Sequence, residues 1–333
     1  MFRGVVKGIS QRLWENVRCT YSSEEIASTI VAASLQNKSI EYTGQYPNGD
    51  TVFERLKVSL NVENIREFVR QSRPSFRGHV RLKLAADEHD EMYYGDKDTE
   101  GVVGVKPKDG TSWAFSFLAV KIIVRDKEFV VDIIPLYDNK VAEHLIESLD
   151  ELIKMYKVDL ILIDAGFRDT DLLSWIVKNG IHFITKMRTS KNLRAQDIEC
   201  NKAYLYSSIY ENGQYNSIPK KLYVYRFKDK KKRDYYLLSD MKDDPEWVKD
   251  TYRLRWGIET GFREINRMEI KTTTKSAVIR LFFYVVSVIL YNLWITIRSE
   301  VWIRLDVLKS FFIRILVGTA KVKGDVINII GLG

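Results

Sequence analysis

The chain has 333 residues, 45% of them hydrophobic. That is enough apolar material for a sizeable core, so intrinsic disorder is excluded and two or three structural modules are expected. Against 44 Asp and Glu stand 52 Lys and Arg, a formal charge of +8, which favours an anionic partner without naming one. Two cysteines, Cys19 and Cys200, exclude a disulfide framework and a Cys-rich zinc module, and point to a reducing cytoplasm. The four histidines (His79, His89, His144, His182) show neither HxH nor HxxxH spacing. Any metal is therefore expected on carboxylates.

Residues 1–78 read as a helical module. Ser22 and Ser23 precede EEIASTIVAASLQ, and Asn61 opens VENIREFVRQSR, both with polar caps before apolar positions at helical spacing. Such a module could recognise DNA or could be a plain structural bundle. No signal peptide is visible at the N-terminus.

From residue 79 the pattern becomes strand-like. VRLKLAAD is a short run closed by Asp87, followed by a polar loop over 88–112. WAFSFLAVKIIV (113–124) and EFVVDIIPL (128–136) then read as an antiparallel hairpin. After a helical stretch over 139–156, VDLILID (158–164) is a continuous apolar run of the kind found in buried parallel strands. A short helix (169–178) and IHFITKM complete the series to residue 187. This order describes a mixed α/β sheet of RNase H-like type, and neither GxGxxG nor GxxxxGK[ST] is present to support nucleotide binding.

Residues 188–240 interrupt this scheme as a basic, tyrosine-rich β insertion. The window 181–233 holds 13 Lys and Arg against 4 Asp and Glu, a local +9, and ends in KDKKKR with Lys230, Lys231, Lys232 and Arg233. Cations interleaved with tyrosines suit a phosphate backbone with exposed bases; the alternative is a solvated hairpin with its tyrosines packed inward. Over 241–300 the core resumes. One helix from Glu246 to Glu269 would align Tyr252, Arg255, Glu259, Arg263 and Asn266 on one face. The 17 uncharged residues 281–297 fall short of the roughly 20 of a bilayer span, so a buried core helix is expected and no membrane partner. Residues 301–333 read as a helical tail.

Selecting among the acids takes context. Asp87 and Asp164 each end an apolar strand, the place where open α/β sheets bind ligands, although Asp is also common in turns and caps. Glu259 lies between Arg255 and Arg263 at helical spacing, which an ordinary salt bridge would equally explain. Seventy-six residues separate the two aspartates, and ninety-four separate Asp164 from Glu259. In an RNase H-like topology these positions fall on the first strand, the fourth strand and the helix after the insertion. Three carboxylates there could hold two hard divalent ions suited to phosphodiester chemistry.

Over residues 80–300 the chain resembles the DDE transposases of bacterial and archaeal insertion sequences, in the subgroup with a β-strand insertion before the glutamate. The resemblance rests on LAADEHDEMYYG (84–95), LILIDAGF (160–167) and above all YRLRWGIETGFREI (252–265), whose Tyr252, Arg255 and Glu259 match the family's Tyr-x2-Arg-x3-Glu spacing. Where the family has a lysine seven residues beyond the glutamate, this chain has Asn266, leaving Arg263 or Arg267 to supply the cation or end recognition altered. Asp90 competes with Asp87 as the first aspartate. The resemblance implies cut-and-paste transposition. Asp87, Asp164 and Glu259 would be the catalytic metal ligands for two Mg²⁺ ions (Mn²⁺ substituting), and Tyr252 and Arg255 would hold the DNA end. The partners would be double-stranded terminal inverted repeats and target DNA, with the protein a homodimer in the complex and cytoplasmic at the nucleoid. The alternatives are a nuclease without strand transfer and a catalytically silent, transposase-derived DNA-binding protein.

Overall fold

The computed structural model describes residues 1–13, 20–45, 47–76, 81–125, 127–138, 140–188, 193, 198–210 and 213–316. Its centre is a nine-stranded mixed sheet. β1 (Leu82–Met92), β3 (Thr111–Val124) and β4 (Lys127–Leu136) are antiparallel; β5 (Val158–Ile163) runs parallel to β1, and β6 (His182–Met187) parallel to β5. The resulting order β4-β3-β1-β5-β6 is the RNase H-like arrangement. β2 (Val103–Lys108) shares the outer edge of β3 with β4.

Two strand boundaries differ from expectation. Asp87 does not close β1. The strand runs on to Met92, pairing from Asp87↔Ala119 to Met92↔Ala114, and β2 occupies part of the stretch expected as loop. Strand pairing is a backbone interaction, so the long apolar β3 carries its partner through a run of acids that side-chain pattern reads as loop. The expected single helix over 246–269 is likewise two. α8 (Pro245–Arg253), capped by Asp244 through the Trp247 amide, gives way at Leu254 and Arg255 to α9 (Trp256–Asn266).

The insertion is built onto the sheet. β9 (Asp234–Ser239) pairs antiparallel with β6 and then with β8 (Tyr223–Lys228), which pairs with β7 (Ala203–Leu205), followed by the short α7 (Tyr206–Ile209). Tyr206, Tyr215, Tyr225 and Tyr236 are buried. These rings pack inward instead of lying open between the cations, because a sheet extension needs its own apolar layer.

The N-terminal helices α1 (Phe2–Ser10), α2 (Ser23–Gln36), α3 (Gly49–Ser59) and α4 (Val62–Gln71) share one core with the sheet. α5 (Val141–Met155) and α6 (Thr170–Lys178) lie along the sheet, and α11 (Leu305–Leu316) stacks Phe312 on Phe2 with ring centroids 4.0 Å apart. α10 (Ala277–Arg298) is buried from Ile279 through Ile295, as a core helix should be. Its polar groups are tied down: Asn292 bonds both the N–H and the C=O of Val130, and the Ser287 hydroxyl donates to the Met268 carbonyl at 2.8 Å.

Candidate active site

The parallel ladder between β1 and β5 ends at Ala86↔Ile163. The next residues, Asp87 and Asp164, therefore emerge side by side where the sheet changes from antiparallel to parallel neighbours. The Asp87 Oδ1 accepts from the Glu88 amide at 3.0 Å, and the Asp164 carbonyl accepts from the Thr185 hydroxyl at 3.3 Å. Asp90 does not join them. Three residues beyond Asp87, an odd step along the strand, it faces the other side and accepts from the Ser116 hydroxyl at 2.7 Å.

The break between α8 and α9 brings two signature residues to this pair. Arg255, buried at the junction, donates through Nη1 to Asp87 Oδ2 at 3.2 Å and places Nη2 3.7 Å from Asp164 Oδ1. The Tyr252 hydroxyl donates to Asp164 Oδ1 at 3.4 Å. Arg255 thus spans both carboxylates, and the expected stripe along one continuous helix is replaced by a corner that aims Tyr252 and Arg255 at the two aspartates. Glu259 lies one turn further along α9; its side chain is outside the described residues.

Electrostatics are set by burial. Asp87 is held above the ordinary aspartate range by desolvation, opposed chiefly by Arg255, and Tyr252 is also raised by desolvation. Beneath α9, Lys121 is wholly buried on β3, its ammonium 4.2 Å from the Phe262 ring centroid and 3.9 Å from Glu128 Oε2; burial draws it down to about 8. His89, stacked on Tyr284 at 4.5 Å, is pushed down to about 4 by the same cause. Sequence reasoning passed over Lys121. Its signal was a lone lysine inside an otherwise apolar strand.

The other expected site residues lie elsewhere. Arg263 is exposed on α9 and donates to the Thr260 hydroxyl at 3.2 Å. Arg267 pairs with Glu264 and Asp306. Lys230, Lys231, Lys232 and Arg233 form the exposed tip of the β8–β9 hairpin, shaped by the Asp229 carboxylate, which accepts from the Lys231 and Arg233 amides. Arg233 also pairs with Asp229 at 2.8 Å.

Two adjacent aspartates supply the hard oxygen donors that a divalent ion such as Mg²⁺ prefers. Among the described residues no group of three acidic, His or Cys side chains closes a metal site, and the third candidate, Glu259, is not among the side chains described.

Residues 123–293 match the family model of the transposase DDE domain, just over half the chain; Asp164, Tyr252, Arg255 and Glu259 lie inside the match and Asp87 precedes it. Comparison with curated proteins yields no significant match. Among solved structures, the fold resembles that of the piggyBac transposase in its cryo-EM synaptic complex with hairpin DNA. The TM-score is 0.61 at 13% identity, covering 98% of this chain and 80% of that one. The chain belongs to the DDE transposase domain family.

Proposed function

We propose that this transposase performs cut-and-paste transposition of a bacterial or archaeal insertion sequence, cleaving DNA at the element's terminal inverted repeats and joining the freed 3′ ends to target DNA. The observation that carries the reading is the meeting of Asp87 and Asp164 where the parallel ladder of β1 and β5 ends, with Arg255 and Tyr252 converging on them. A scissile phosphate lying over this corner would find carboxylates on one side and a guanidinium on the other.

Asp87, Asp164 and Glu259 would hold divalent ions, Mg²⁺ or Mn²⁺. Ions there would lower the pKa of an attacking water or 3′-hydroxyl and stabilise the leaving oxygen. Arg255, whose planar fork suits phosphate oxygens, would orient the scissile phosphate. Tyr252 would keep the Asp164 carboxylate in position and brace the DNA end. The exposed cations Lys230, Lys231, Lys232, Arg233 and Arg263 would bind backbone phosphates of double-stranded DNA. The piggyBac structure is a synaptic complex with hairpin DNA; by analogy a homodimer would pair two ends of this element.

A labelled duplex from the sequence flanking the gene tests the reading. Asp87→Asn, Asp164→Asn and Glu259→Gln should each abolish Mg²⁺- or Mn²⁺-dependent nicking and strand transfer while leaving end binding intact, because phosphate contacts by Lys and Arg supply most of that affinity. Full cleavage by Asp164→Asn or Glu259→Gln would sink the assignment; by Asp87→Asn, it would move the first ligand elsewhere. Nicking without joining would leave a nuclease.

A further inference from the structure

The sheet register places a third residue beside the two aspartates. Ile163 pairs with Ala86 on one side and with Thr185 on the other, so the residues next along the three parallel strands, Asp87, Asp164 and Lys186, fall in one row. Residues directly opposite on neighbouring strands point to the same face. Lys186 is also opposite Leu237 of β9, and Leu237 packs with Val248 and Tyr252 of α8. Lys186 therefore shares the face on which Tyr252 and Arg255 approach. Arg188 directly follows Met187, the buried last residue of β6, and so continues outward from Lys186 past the end of the ladder.

Both cations are exposed, and neither takes part in an ion pair or side-chain hydrogen bond among the described residues. That sets them apart from nearby basic groups: Arg226 is committed to Asp234, Lys249 to Glu246 and Arg253 to Asp250. The ladder with β9 ends at Met187↔Tyr236, so the hairpin tip carrying Lys230, Lys231, Lys232 and Arg233 projects at the same end of the sheet, beyond Arg188. Asp164, Lys186, Arg188 and the tip lie in that order from the carboxylates outward.

We propose that Lys186 and Arg188 form a phosphate track that seats the DNA strand flanking the scissile bond and guides it onto the insertion hairpin. The proposal rests on the transposase reading above. The track carries a run of backbone phosphates past the two aspartates. Lys186 is a positioning residue, setting which phosphate lies over Asp87 and Asp164; Arg188 holds the strand one step outward.

The test uses full-length protein and the labelled end duplex, with binding measured without metal over a salt series. Lys186→Gln and Arg188→Gln should each lower the slope of log affinity against log salt by about 0.9, and the double variant by about twice that. With Mg²⁺ and saturating DNA, Lys186→Gln should slow cleavage at least tenfold, and Lys186→Arg should restore most of it. A neutral methylphosphonate scanned along the cleaved strand should, at one position beside the scissile bond, reproduce the Lys186→Gln defect and add nothing to it. Unchanged slopes, or methylphosphonate losses that add to Lys186→Gln at every position, would overturn the track. Asp164→Asn, run alongside, separates the two ideas. If it cuts, the transposase reading falls; if it binds without cutting while the Lys186 and Arg188 slopes stay at the parent value, only the track falls.

Discussion

Arg255 shows how much a single side chain depends on its surroundings. From spacing alone, its simplest partner was Glu259 one turn away, an exposed pair worth roughly 0.3–0.5 kcal/mol. In the fold it is buried instead, reaching Asp87 at 3.2 Å and Asp164 at 3.7 Å. Removing one partner from a buried charge cluster costs more, because the remaining charges lose their compensation. With both carboxylates still part-exposed, Arg255→Ala should destabilise the protein by about 1–3 kcal/mol and abolish end cleavage. Arg255→Lys separates the two effects. A lysine keeps the charge but cannot span two carboxylates or fork onto a phosphate, so most of the melting temperature should survive while cleavage falls at least tenfold. Parent-level cleavage by the lysine variant would reduce Arg255 to a point charge.

At the scale of elements, close approach decides what is tolerated. A Cβ added to Gly261 of α9 would lie 2.6 Å from the Lys121 ammonium and 3.0 Å from the Tyr291 hydroxyl. Within a helix Gly→Ala ordinarily gains about 1 kcal/mol. Here overpacking against a buried lysine costs about 1–3 kcal/mol, so Gly261→Ala should lower the melting temperature and slow cleavage by lifting α9 from the sheet. Asn292 makes the complementary case. Its amide bonds the Val130 N–H and C=O on the free side of edge strand β4, doing the work of a neighbouring strand. Asn292→Leu would leave both groups buried and unsatisfied at about 1–3 kcal/mol each; a loss below 1 kcal/mol in denaturant melts would show that water replaces them. Neither contact was legible in the chain. The strands around Asp164 were, because a continuous apolar run ending in Asp-Ala-Gly-Phe carries its own boundary. The continuation of β1 past Asp87 was not, since its pairing comes from β3, about thirty residues away in sequence. The corner at Arg255 escaped for a related reason: helical periodicity persists across a short break, and only packing against the two aspartates reveals the interruption. The tyrosines of the insertion were visible as a cluster, but whether they faced base or core depended on β9 joining β6.

For the whole molecule, the insertion's role follows from its continuity with the sheet. Because β6, β9 and β8 are hydrogen-bonded neighbours, the hairpin tip is held at a fixed offset from the carboxylates, as a DNA guide would need to be. Its turn is maintained by Asp229, whose carboxylate accepts from two amides of the loop, and by Lys232 in a left-handed conformation at φ 60°. Replacing Lys230, Lys231, Lys232 and Arg233 with Gln leaves Asp229 and those amide bonds in place, so the fold should melt within about 1 kcal/mol of the parent, as exposed surface changes do. DNA affinity should nonetheless drop. Each lost phosphate contact lowers the slope of log affinity against log salt by about 0.9. Arg233 is partly engaged with Asp229, so the full set should lower the slope by about 2.7 if only the three lysines contact phosphate, and by about 3.6 if Arg233 swings away to join them. Combining these changes with Lys186→Gln should give additive slope losses, since separate phosphates are counted. An unchanged slope at normal melting temperature would make the tip a solvated face, and the DNA path would then have to leave the sheet edge before reaching it.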